Sequence, residues 1–175
     1  DILLYRLLVI KKENNFWKMS KKLLLIYKTV FISFFISSAV YANLIEPNSS
    51  IEPHQVVKIQ LSSLKKNDNP IKDNGIEQTW IFAHPNNKKN TGPLNKFKVM
   101  IKGNSYQMLI NHLEHKVTEV ESGDLTVLFE VTVLDKNKAY YKFNWQVEKY
   151  TKEGPLNGCW LTTIVSAPMP LGSSI

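Results

Sequence analysis

The chain has 175 residues, which gives room for one domain of ordinary size. Its 43% hydrophobic content argues against a disordered polypeptide, and its single cysteine excludes an intrachain disulfide framework or a multi-cysteine zinc site. The net charge of +7 invites a nucleic-acid partner, so its placement along the chain decides what it means.

Residues 1–42 carry seven basic and two acidic residues, a net +5, whereas residues 43–175 carry 15 lysines and 13 acidic residues, a net +2. Arg6 is the only arginine. Arginine supplies the bidentate contacts to guanine and phosphate that lysine cannot copy, so no nucleic-acid partner is expected for the later region. Residues 1–18 precede a plausible start at Met19 and read as a doubtful upstream extension, set aside for the fold. Residues 19–42 read as a secretory signal peptide: Ser20-Lys21-Lys22 begins a charged stretch, Val30 to Val40 is apolar, and Val40 and Ala42 stand at the −3 and −1 positions of a cleavage site. The expected location is periplasmic or secreted. The alternative is an uncleaved segment anchoring the protein in the inner membrane, the one membrane contact expected.

Residues 43–52 are polar and contain Pro47, the composition of a flexible leader. Pro53 suits the first turn of a helix, and Val57, Leu61 and Leu64 then recur at helical spacing to about Lys66. A second helix is expected over about Asn74 to Ala83, with Ile76, Trp80 and Ala83 on one face and Pro85 beyond its end. Asn86 to Asn90 reads as a polar loop. Pro93 opens a third helix with Leu94, Phe97 and Ile101 as its stripe and Gly103 as its stop.

The period then changes from 3.6 to 2. Tyr106 to Ile110 and Leu113 to Glu121 predict one or two strands, and Leu125, Val127, Phe129, Val131 and Val133 alternate with Thr126, Leu128, Glu130, Thr132 and Leu134 in another. Asp135 to Lys138 is a hairpin connection to a strand with Tyr141, Phe143, Trp145 and Val147 on one face. The last strand is expected to point Cys159, Leu161, Thr163 and Val165 inward, and residues 167–175 read as a flexible tail. Helices followed by antiparallel strands define one α+β domain over residues 53–166, with three helices packed on a curved sheet of four to five strands. Such a cone tends to enclose a pocket.

The segment from Gly75 to Leu94 (GIEQTWIFAHPNNKKNTGPL), the Leu109-Ile110-Asn111-His112 stretch and the late Cys159-Trp160-Leu161-Thr162 stretch resemble the domain of unknown function 4864 family. The resemblance spans about His54 to Val165 and implies a fold similar to nuclear transport factor 2, with no established activity. It departs from the family after Trp160-Leu161-Thr162: an acidic residue and glycine are usual there, and Thr163 and Ile164 stand in their place.

No phosphate-binding glycine loop, nucleophile elbow or Ser-His-Asp spacing is present, and no cofactor is expected. His112 and His115 suggest a metal pair, but on a strand residues three apart point to opposite faces, so no metal site is expected. Cys159 reads as a buried apolar side chain. Trp80, Phe97, Tyr106, His112, Tyr141, Trp145 and Trp160 are the candidate pocket residues, because a cone of this kind would be lined by its large aromatics. Asn86, Asn87, Thr91 and Gly92 are the candidate loop contacts at its rim. The expected function is a non-enzymatic module for a small hydrophobic ligand or a protein partner, acting as monomer or homodimer. The alternative is a pocket enzyme using acid/base chemistry of the ketosteroid-isomerase kind.

Overall fold

The computed structural model describes residues 43–173, and the expected signal peptide at 19–42 and extension at 1–18 lie outside them. Among the described residues four helices come first: α1 (Pro53–Lys65), α2 (Asn74–Ile81), α3 (Pro85–Thr91) and α4 (Leu94–Lys102). A single 3-10 turn, Gln107–Leu109, leads to five strands: β1 (Glu114–Ser122), β2 (Thr126–Leu134), β3 (Ala139–Lys149), β4 (Trp160–Val165) and β5 (Met169–Ser173). All strand pairs are antiparallel, in the order β1-β2-β3-β4, and β5 pairs with the other end of β3 beside β4.

Helix α1 begins where the sequence dictates. Pro53 occupies its first turn, where a missing N–H costs nothing, and the Gln55 side chain accepts from the Glu52 N–H at 2.9 Å. Its buried face is Val56, Val57, Gln60, Leu61 and Leu64. That face meets one side of the sheet, where Val127, Phe129, Val131 and Val133 of β2 and Phe143, Trp145 and Val147 of β3 are all buried. Each such side chain stabilises the fold by about 1.5–3 kcal/mol on removal from water, so this layer-on-layer contact is the main source of cohesion. Helix α4 adds Phe97 and Ile101 to the same cluster. Ion pairs from Lys98 to Glu77 (2.5 Å) and from Lys102 to Asp73 (2.7 Å) link it to α2 and its N-cap.

Several expectations are corrected. Asn86 to Asn90 is helical, forming α3: Pro85 at the first position and the His84 ring at the N-cap start it, and Gly92 at φ 81 ends it. Hydrophobic periodicity missed α3 because none of its residues is buried. Tyr106 to Ile110 is no strand but the 3-10 turn and its flanks. Residues 43–52 are tied down rather than loose, since the Gln78 side-chain amide both accepts from the Ile45 N–H (2.7 Å) and donates to its carbonyl (2.8 Å). The tail is also structured: Met169 pairs with Lys142 and Ser173 with Ala139.

The last strand carries the most consequential correction. A bulge opposite Gln146 and Val147 puts Val165 against Trp145 but Thr162, not Thr163, against Val147. One extra residue reverses the alternation beyond it. Thr162 therefore faces the helices, and Thr163 instead exchanges hydrogen bonds with Gln146.

Candidate functional site

A cavity of about 90 Å³ lies between the helices and the sheet. Buried Gln60 and Leu64 come from α1, Thr79 from α2, Phe97 and Ile101 from α4, Leu109 from the 3-10 turn, and Trp145 and Thr162 from the sheet. The partly exposed lining residues Asn87, Thr91, Met100, Tyr106 and Val165 mark its mouth. The volume is several times what one water needs and smaller than the roughly 150 Å³ that admits benzene.

Three side chains from distant parts of the chain meet at this cavity. The Gln60 carbonyl oxygen accepts from the Thr162 hydroxyl at 2.6 Å and from the Trp145 indole N–H at 3.2 Å. The indole N–H is shared with the Thr162 hydroxyl oxygen, also at 3.2 Å. The Gln60 amide nitrogen donates to the Thr79 carbonyl at 3.0 Å, which fixes which end of the side chain is which. Burial is tolerated because these polar groups satisfy one another. The α2–α3 junction is clipped to the same strand: the His84 N–H donates to the Thr162 carbonyl (2.8 Å), and the Thr162 N–H donates to the Phe82 carbonyl (2.8 Å). The Asn87 amide also reaches the Thr162 carbonyl, at 3.3 Å, so α3 is held over the mouth. The Tyr106 hydroxyl donates to the Val165 carbonyl at 3.3 Å.

Of the seven expected pocket residues, Phe97, Tyr106 and Trp145 line the cavity. Trp80 does not: it packs on Phe97 with ring centroids 5.1 Å apart and lies beneath the Lys88 ammonium. Trp160 is buried in the core with Lys149 over its ring. Tyr141 borders a separate polar depression with Gln107, Met108 and Asp135. His112 sits behind the cavity wall, hydrogen-bonded to the carbonyl of Leu109 at 2.7 Å. Among the rim candidates, Asn87 and Thr91 line the mouth, whereas the Asn86 N–H serves the His84 cap and Gly92 ends α3. Gln60, Thr79 and Thr162 line the cavity without being among the expected pocket residues. Gln60 had a readable signal, a polar residue three and four positions from Val57 and Val56 on an apolar helix face. Thr162 had none, because the bulge that turns it inward leaves no mark in hydropathy.

The two histidines of the HxxH spacing do meet. His112 precedes β1 and His115 is its second residue, and their facing nitrogens, Nε2 and Nδ1, are 2.7 Å apart. The opposite-faces rule fails because His112 lies outside the strand. The Leu109 carbonyl accepts only, so His112 carries its proton on Nδ1 and presents a lone pair from Nε2. His115 must then donate from Nδ1. Burial holds His112 down at about 4, opposed by its bond to Leu109 and reinforced by His115 and Lys65. Burial, then Lys65 and Lys58, also lowers His115. Among the described residues no group of three or more His, Cys, Asp or Glu is placed to hold a metal ion. No helix among them is long and apolar enough to cross a membrane.

No protein family, no curated protein and no solved structure matches the chain.

Proposed function

We propose that the protein is an exported binding module whose cavity takes a small, uncharged, mostly apolar molecule. The observation that carries this reading is the lining itself. Its fourteen residues include no lysine, carboxylate, histidine or cysteine, and the polar groups at Gln60, Trp145 and Thr162 are already hydrogen-bonded to one another. An ion entering such a site would lose its hydration without gaining a counter-charge. The same lining favours binding over acid/base chemistry, which needs a proton acceptor or donor poised near neutrality beside the ligand. His84, His112 and His115 all stand outside it.

Export is supported by the charged, apolar and small-residue pattern of residues 19–42. Kinship with the domain of unknown function 4864 family, and a cone of the nuclear transport factor 2 kind, are supported by the helices-first order, the antiparallel sheet and the cavity between them.

Saturation-transfer NMR of the purified protein against a panel of small neutral organic compounds tests the binding reading. Binders with dissociation constants near or below about 1 mM are expected, a reasonable strength for ligands of this size. The variant Ala83→Leu, which extends a lining side chain into the cavity, should lose them. A panel in which nothing binds, or in which Ala83→Leu binds as well as the natural sequence, overturns the reading.

A further inference from the structure

The hydrogen-bonding capacity of the buried polar cluster can be counted. The Gln60 carbonyl oxygen has two lone pairs, and Thr162 and Trp145 take both. One of the two Gln60 amide protons goes to the Thr79 carbonyl. The Thr162 hydroxyl gives its one proton to Gln60 and accepts from Trp145. The cluster is thus left with one donor, the second amide proton of Gln60, and one acceptor, the remaining lone pair of Thr162. Both residues line the cavity.

A single ligand atom that both accepts and donates would complete this pair. A carbonyl or ether oxygen could use only the Gln60 proton. A carboxylate would face the Thr162 lone pair with no cation beside it, and an ammonium group would find no anion. Building on the binding reading above, we propose that the cavity selects a small neutral aliphatic alcohol. Its hydroxyl accepts from Gln60 Nε2 and donates to Thr162 Oγ1, and its carbon chain lies against Leu64, Phe97, Ile101 and Leu109. By proportion with benzene in roughly 150 Å³, the 90 Å³ cavity holds about four non-hydrogen atoms, so a longer chain emerges through the mouth beside Asn87 and Thr91.

The test titrates the protein with 1-butanol, 1-chlorobutane, butyrate and butylammonium, following ligand-induced NMR shifts. The alcohol should bind about fivefold or more tightly than the chloride of similar shape, as expected for a buried hydrogen-bonding group left unmatched, and the two ions should not bind. In Thr162→Val the ligand hydroxyl keeps the Gln60 donor but loses its Thr162 acceptor, so the preference for alcohol over chloride should narrow, and Thr162→Ser should restore it. If Thr162→Val does not fold, the alcohol-to-chloride ratio of the natural protein and of Thr162→Ser decides. Equal binding of alcohol and chloride to the natural protein overturns the hydroxyl assignment and leaves the apolar cavity standing. Binding by none of the four overturns the assignment, and the wider neutral panel then decides the cavity reading separately.

Discussion

Nε2 of His112 lies 2.7 Å from Nδ1 of His115, and the other nitrogen of His112 is pinned to the Leu109 carbonyl. This chain of two imidazoles and one carbonyl has a single consistent arrangement of protons when both rings are neutral. A first added proton can sit on the outer nitrogen of His115 without breaking it. A second, on His112, places two N–H groups head to head.

Stability should therefore fall in acid through His112. Its folded value, about 4, lies below the 6.5 of the free side chain. Between those limits the unfolded chain binds more protons, so stability declines as pH falls from about 6.5 to about 4 and the His112 contribution is constant on either side. The full effect is about 3 kcal/mol. Urea unfolding across that range should show the slope, and His112→Gln should flatten much of it. An unchanged slope in the variant would show that His112 titrates normally in the folded protein.

His84 offers a second, local effect. Its Nδ1 accepts from the Asn86 N–H at 3.1 Å, so it caps α3 only when that nitrogen is unprotonated. Burial lowers its affinity for a proton, with Glu148 opposing and Lys152 assisting, and its ring packs at a tilt against that of Tyr150, centroids 5.4 Å apart. Because the folded value lies below the unfolded one, this cap is present at neutral pH and lost in acid. Hydrogen exchange of residues 86–91 should accelerate at low pH while β2 stays protected. His84→Ala should show the acceleration at neutral pH and cost about 1 kcal/mol, and His84→Asn should recover most of it.

Gly75 lets the backbone of α2 lie directly against that of α1. A Cβ there would overlap the carbonyl oxygen of Ser63 and come within 2.6 Å of its carbonyl carbon. Both neighbours are backbone, so no side chain can swing aside. Gly75→Ala should cost about 3 kcal/mol, at the upper end for overpacking, in thermal or urea unfolding. A cost below about 0.5 kcal/mol, the size of an ordinary surface substitution, would show that the two helices can separate freely.

Cys159 is free, buried and raised in pKa by that burial. It should resist thiol reagents at pH 8 in the native protein and react at once in denaturant. Rapid native labelling, or a disulfide-linked dimer in the purified protein, would contradict its place in the core.

Local pattern was enough to read the helices-first, strands-after order of the fold, but not α3, the 3-10 turn or β5. The helical spacing of Val57, Leu61 and Leu64 and the alternation from Val127 to Val147 fixed which faces are buried, because both periods follow from backbone geometry within one element. Phe97 and Trp145 are legible for the same reason, each being a large aromatic on the buried face of a recognisable element, whereas Tyr106 lines the cavity from the flank of a 3-10 turn that the period of 2 misreads as strand.

Other features depend on residues that local pattern does not connect. Gln60 and Thr162 are 102 positions apart and Gln60 and Trp145 are 85 apart, so their shared hydrogen bonds exist only once α1 lies on the sheet. The bulge that turns Thr162 inward is one unpaired residue, and no periodicity records it. That five of the seven net charges lie within residues 1–42 is legible without help from the fold. What the cavity admits was decided by tertiary structure, because a hydrogen-bond inventory depends on which donors and acceptors the folded chain has already paired with one another.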